Sequence, residues 1–123
     1  MNKELARITS ASLEIKERGI LNFWINVDYE NGFSQGIGGI VLDAYDKEKN
    51  TRVGTAYGCE MIRQLLLVLG VNDFSQMNGK DILVLFEDNS SPLNIKPIGI
   101  QALKADGGKQ LIFGDILEQF KNK

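Results

Sequence analysis

The chain has 123 residues, of which 43% are hydrophobic and 24% are charged, and its formal net charge at pH 7 is −2. This balance is typical of one globular domain, and it excludes a disordered chain or a clustered basic surface for nucleic acid. Histidine is absent, which excludes Ser-His and Cys-His nucleophile pairs and a histidine-ligated zinc site.

Three strands are predicted first, over residues 5–16, 20–30 and 33–42, with turns at 17–19 and at Asn31-Gly32. The second strand alternates most clearly and sets its apolar residues on one face: Leu21, Phe23, Ile25, Val27 and Tyr29. Its other face is polar apart from Trp24. In the first strand, strict alternation sets Ala11, Leu13 and Ile15 on one face and Ile8 on the other. The polar stretch 43–52 is typical of a solvated loop.

A helix is predicted to begin at the N-cap Thr55 and to end at Gly70. Its apolar stripe contains Cys59, Ile62, Leu65, Leu66 and Leu69. Asp73 can cap a short helical turn. Later strands are predicted over 80–88, 94–105 and 109–113, with a loop at 89–92 and a hairpin turn at 106–108. Pro97 favours an edge or a bulge. A short amphipathic helix is predicted over 114–123.

The predicted order is therefore βββα-βββα in a single α+β domain spanning residues 1–123. A mostly antiparallel sheet would pack on one long helix, with strong curvature as one option for the sheet. Residues 1–10 lack the apolar stretch of a secretion signal, and the run 65–70 is too short to cross a bilayer. We expect a cytoplasmic protein that does not contact a membrane.

Four glycines, Gly32, Gly36, Gly38 and Gly39, lie in or beside the third strand. A dinucleotide-binding fingerprint is excluded, because Val41 takes the place of its third glycine and the segment continues as a strand. The favoured interpretation is a bulge, a bend or a place where the helix lies on the backbone. The alternative is a ligand site lined by Tyr29, Gln35, Gly36, Gly38 and Gly39, with Arg52 or Arg63 meeting an anion.

Trp24 interrupts a polar strand face that also carries Asp28 and Glu30. Tryptophan is enriched where proteins dock, so these three residues are candidates for partner binding, with packing under another layer as the alternative. The carboxylates at 28–30 and 43–48 lack calcium-loop spacing and fit a solvated face. Cys59 has no histidine to activate it. We expect no metal, no cofactor and no catalytic residue.

Several short stretches together resemble a family of small phage and prophage proteins without an established function. They are Val27-Asp28-Tyr29, the segment with Gln35, Gly36, Gly38 and Gly39, Gly70-Val71, Gly79-Lys80 and Ile98-Gly99, within residues 20–101. Where the family tends to have a histidine, this chain has Gln101, and its C-terminal segment differs. The resemblance implies an accessory phage protein in a bacterial cytoplasm.

The leading hypothesis is a non-enzymatic protein that binds a host protein or complex, for example as an inhibitor of anti-phage defence. A small-molecule or nucleotide binder is the first alternative, and a carboxylate- and metal-dependent enzyme is the second. Direct nucleic-acid binding is not expected. Self-association is a further expectation, because sheet edges and Trp24 need cover.

Overall fold

The computed structural model describes residues 1–88 and 96–121. These residues form a six-stranded antiparallel sheet and two helices, which confirms the predicted α+β class and the antiparallel pairing. The strands are β1 (Asn2–Ile15), β2 (Leu21–Tyr29), β3 (Ser34–Val41), β4 (Asp43–Asp46), β5 (Thr51–Gly54), β6 (Asp81–Phe86), β7 (Gly99–Ala102) and β8 (Gln110–Ile112). The helices are α1 (Ala56–Leu69), of 14 residues, and the shorter α2 (Phe113–Gln119).

The sheet is open and has the strand order β3-β2-β1-β6-β7-β8. Because β7 lies between β6 and β8, the predicted edge at Pro97 is wrong, and the buried proline precedes the strand instead of weakening it. The predicted loop 89–92, the first residues of the strand predicted over 94–105 and the last two residues of the C-terminal helix lie outside the described residues.

Residues 43–54 form a hairpin of β4 and β5, so the predicted solvated loop is wrong. Asp46 holds the turn, because its carboxylate accepts hydrogen bonds from the amides of Glu48 and Lys49 at 2.9 and 3.2 Å. Asn50 takes the left-handed conformation (φ 54°) that asparagine tolerates better than most residues. Charged and polar residues dominate this segment, so the sequence pattern did not predict the two short strands on either side of the turn.

β1 contains a bulge at Thr9, where the pairing with β2 shifts between Ile8 and Ser10. The extra residue reverses the alternation, so that Ile8 and Ala11 lie on the same face of the sheet. The prediction that Ile8 faces away from Ala11 is therefore wrong. Ile8 is in fact fully buried, and it joins the core with Phe23, Ile25 and Val27 of β2.

β1 pairs with a different strand along each half. Asn2 to Arg7 pair with β6, whereas Ala6 to Ile15 pair with β2. Beyond Ile8, which bonds to Lys80 and Gly79, no described strand pairs with β1 on the β6 side.

Helix α1 begins and ends where its capping residues predict. The Thr55 hydroxyl accepts a hydrogen bond from the Gly58 amide, and Gly70 adopts the left-handed conformation (φ 67°) just past the last turn. The buried side of α1 is formed by Gly58, Met61, Leu65, Val68 and Leu69. Cys59 is exposed, so its predicted place on the apolar stripe is wrong.

The start of α1 is tied to the chain between β3 and β4. The Thr55 hydroxyl donates to the Leu42 carbonyl at 2.5 Å, and the Tyr57 hydroxyl donates to the Val41 carbonyl at 2.8 Å. A Cβ atom at Gly58 would lie 1.9 Å from the Leu42 carbonyl oxygen. Only glycine lets the helix approach the strand backbone this closely.

Gly58→Ala should destabilise the fold by about 2 to 3 kcal/mol, because the added methyl group forces α1 away from Leu42. Gly114→Ala is the matched control in α2, since a Cβ atom there meets nothing within 4 Å. That variant should be neutral or stabilising by up to about 1 kcal/mol. Urea unfolding of both variants measures the difference, and equal midpoints would contradict the close approach at Gly58.

Candidate functional site

Trp24 lies over the glycines of β3. Ideal Cβ atoms at Gly36 and Gly39 would come within 3.2 and 2.8 Å of the indole ring, and one at Gly38 would lie 2.3 Å from the Phe23 carbonyl oxygen. Gly38 and Gly39 also have positive φ angles of 129° and 67°, and the β2–β3 pairing shifts beside them. The predicted bulge is therefore confirmed. The group that contacts Gly36 and Gly39 is the Trp24 side chain and not a helix.

The surface around Trp24 is the side of β1, β2 and β3 that points away from the core, and we call it the outer face. Its residues are Arg7, Ser10, Ser12, Glu14, Asn22, Trp24, Asn26, Asp28, Ser34, Gly36 and Gly39. Asn26 donates to the Ser10 hydroxyl at 2.9 Å, and the Ser34 hydroxyl donates to Asp28 at 2.6 Å. No helix of the described residues covers this face, because α1 and α2 contribute their buried side chains to the core.

Asp28 and Glu30 lie at one end of the outer face. Both are exposed, and both line a shallow groove with Arg7 and Asp81. Arg7 donates to the two oxygens of Asp81 at 2.9 and 3.3 Å, which lowers the pKa of that carboxyl. The positive charge of Arg7 is thus already paired, and Asp28 and Glu30 leave this end of the face acidic.

Tyr29 and Gln35 join β2 to β3. The Tyr29 hydroxyl donates to the Gln35 side-chain oxygen at 2.6 Å, and Tyr29 is 8% exposed. Burial, with a smaller effect of the Glu4 carboxylate, raises the pKa of Tyr29 to about 12. The two residues therefore hold each other in place at the margin of the core.

The seven residues of the predicted ligand site do not gather at one place. Gln35 and Gly36 share one shallow depression, Tyr29 lines a second, Gly38 a third, and Arg52 a fourth. The Trp24 ring occupies the space over Gly39, and Arg63 lies exposed on α1, 3.8 Å from Glu60. None of these four depressions is lined by all seven residues.

A concave feature lies between the β4–β5 hairpin and the turn that joins β1 to β2, and we call it the hairpin cleft. Its volume is about 700 Å³, and its lining residues are Ile15, Arg18, Gly19, Ile20, Leu21, Asp43, Tyr45, Thr51, Arg52, Val53 and Gly54. Of these residues, sequence reasoning selected Arg52 alone as a ligand-binding candidate. The β-branched Thr51 and Val53 beside a charged turn were the available signal for the hairpin.

Asp43 and Arg52 form an ion pair at the base of the hairpin cleft. Their closest oxygen and nitrogen atoms are 2.7 Å apart, and the side chains are 8% and 23% exposed. The second oxygen of Asp43 accepts a hydrogen bond from the Leu21 amide at 3.2 Å. The hydrogen bond from Arg52 lowers the pKa of the Asp43 carboxyl. This pair fastens the hairpin to the start of β2.

The described residues contain no group of three acidic or cysteine side chains that could hold a metal ion. Within the same part of the chain, neither helix has the length and apolar character needed to cross a membrane. No protein-family model, no curated protein and no solved structure matches the chain. The resemblance to phage proteins therefore stays a prediction.

Tyr29→Phe should change the alkaline limb of the stability profile. The folded state favours the neutral Tyr29 phenol. The phenol's contribution to the free energy of unfolding is therefore complete below the ordinary pKa of 10, and it is lost as the pH rises towards 12. The wild-type free energy of unfolding should fall more steeply between pH 10 and 12 than that of the variant. At pH 7 the lost hydrogen bond should cost the variant about 1 kcal/mol. Parallel slopes for wild type and Tyr29→Phe, with the exposed Tyr45→Phe as control, would contradict the burial of the phenol.

Asp43→Asn should change the acid limb instead. A lowered carboxyl pKa gives stability that is present above pH 3.8 and is lost as the pH falls below that value. The variant should unfold at a lower temperature than wild type at pH 7, and the gap between the two should narrow as the pH falls below 3.8. Thermal melts at several pH values measure this gap. Asp106→Asn, at an exposed carboxylate, is the control, and a gap independent of pH would refute the role of the ion pair.

Proposed function

We propose that the chain acts by binding another protein through the outer face, without catalysis. The observation that carries this proposal is the placement of Trp24: a large aromatic side chain at the centre of a sheet face that no described helix covers. Large aromatic side chains dominate the energy of many protein interfaces.

The indole is supported from below by Gly36 and Gly39, whose lack of side chains lets it lie against the β3 backbone. A side chain already held in place loses little conformational freedom when a partner docks on it. Ser12, which pairs directly with Trp24 across the strands, has a small side chain. Trp24 is partly buried, and the exposed part of its ring gives this face a preformed aromatic centre.

Asp28 and Glu30 add negative charge at one end of this face. Complementary charge steers association and selects among partners. A fitting partner has an apolar patch that covers Trp24 and a basic margin that meets the two carboxylates. This requirement favours a protein over a membrane or a nucleic acid, whose phosphates would be repelled at that end.

The cellular part of the proposal rests on the resemblance to phage proteins. Under it, the partner is a host protein or complex in the bacterial cytoplasm, and binding inhibits a component of anti-phage defence. A second copy of the chain is the other occupant to test, since self-association would also cover Trp24.

Affinity capture from a bacterial host that carries a defined defence system tests the proposal. Wild type, Trp24→Ala and Ser12→Arg are compared with Gln119→Arg, which adds the same side chain on an exposed residue of α2. A specific partner should be retained by wild type and by Gln119→Arg. In a purified complex, Trp24→Ala should reduce the binding free energy by about 2 kcal/mol or more.

Ser12→Arg removes no core contact and should block docking through bulk and charge alone. It therefore remains informative if Trp24→Ala proves unstable in thermal melts. A partner captured equally by all four proteins would overturn the outer face as the docking surface. Capture of the chain by itself, confirmed by its mass in light scattering, would replace a host partner by a second copy.

A further inference from the structure

The hairpin cleft has the dimensions of a small-molecule site and belongs to a part of the molecule that the outer face does not use. Its volume of about 700 Å³ lies within the range of ligand pockets. It is built from three separate segments, namely the end of β1 with the following turn, β4 and β5. Such a cleft between a hairpin and a sheet can admit a ligand without any rearrangement of the core.

The charge in the cleft is positive. Its charged lining residues are Arg18, Asp43 and Arg52, and Asp43 is already occupied by Arg52 and by the Leu21 amide. Arg18 is exposed and has no ion-pair partner within the described part of the chain. One positive charge thus stays without a counterion, on a residue that borders the cleft.

Arg52 also has unmet hydrogen-bonding capacity. One terminal nitrogen donates to Asp43, while its buried Nε has no partner among the described residues. This nitrogen is closed to solvent, so a ligand in the cleft would meet the part of the Arg52 side chain that is 23% exposed. Guanidinium groups bind carboxylate, phosphate and sulfonate oxygens through several donors at once.

The remaining walls are apolar. Ile15 is 70% exposed and Tyr45 is 53% exposed, and both lie at the cleft beside Ile20, Leu21 and Val53. Large apolar side chains grouped in this way around a concave surface are typical of binding sites. They would contact the uncharged part of a ligand while the arginines hold its charged group.

We propose that the hairpin cleft binds a small organic anion: an apolar body that carries a carboxylate, phosphate or sulfonate group. The apolar body lies against Ile15, Tyr45 and Val53, and the acidic group faces Arg18 and Arg52. This proposal does not depend on protein docking at the outer face.

Two fluorescent probes with the same aromatic body test it. 8-Anilinonaphthalene-1-sulfonate carries an anion, whereas N-phenyl-1-naphthylamine is neutral. Wild type should bind the sulfonate at least about fivefold more tightly than the neutral probe, as expected for one partly screened ion contact. Equal affinities, or no binding of either probe, would overturn the proposal.

Variants locate the binding. Arg18→Gln should weaken the sulfonate about fivefold and leave the neutral probe unchanged. Arg63→Gln removes the same charge from α1, outside the cleft, and should change neither affinity. A loss of affinity in Arg63→Gln equal to that in Arg18→Gln would show that overall charge attracts the probe, and would refute the site.

Gly54→Leu tests the volume of the cleft. Gly54 lines it, and a Cβ atom added there meets nothing within 4 Å, so the larger side chain has room to form. This variant should weaken both probes, because its side chain occupies the space of the apolar body. Thermal melts establish that each variant is folded. If Gly54→Leu is unstable, probe binding by Arg18→Gln, a change at an exposed residue, still tests the proposal.

Discussion

The arrangement of this molecule depends on the contact between two backbones at Gly58 and Leu42. Because glycine has no side chain, the first turn of α1 comes against the Leu42 carbonyl, and the hydroxyls of Thr55 and Tyr57 bond to the same stretch of chain. The contact holds the helix on the core side of the sheet. It also brings together the two ends of the β4–β5 hairpin, since Leu42 precedes β4 and Thr55 follows β5.

The two candidate surfaces follow from this one constraint. A helix held on the core side leaves the outer face to Trp24 and its polar neighbours. A hairpin closed at its base is directed towards the turn between β1 and β2, where Arg52 meets Asp43 and the cleft forms. Under the two proposals, the first surface binds a protein and the second binds a small anion, on different sides of the fold.

Much of the fold could be predicted because its signals are local. The alternation of β2 identified Phe23, Ile25 and Val27 as core residues, and Thr55 and Gly70 marked the ends of α1. The bulge at Thr9 could not be predicted, because one extra residue in a strand rich in serine, threonine and alanine leaves no trace in composition. The predicted apolar stripe of α1 wrongly included Cys59. Apolar residues lie around most of that helix, and the sheet determines which of them face inward.

The candidate sites were harder to predict than the fold. Sequence reasoning identified Trp24 and the glycines of β3 separately, but their contact depends on a register that the bulge beside Gly39 sets. The hairpin cleft joins residues 15–21 to residues 43–54, and no local pattern indicates that a surface arginine such as Arg18 borders the same space as Arg52.

β1 pairs with β6 along one half and with β2 along the other, and this arrangement determines how the sheet is held together. Ala6 and Arg7 alone carry Cα pairing to both neighbouring strands, so the six strands amount to two smaller blocks that share a short seam. One block holds β2 and β3 with the indole, and the other holds β6, β7 and β8. The backbone of β1 joins the two blocks, and the hydrogen bonds of Ile8 to Lys80 and Gly79 extend the seam by one residue. A force applied to one block therefore reaches the other through this single strand.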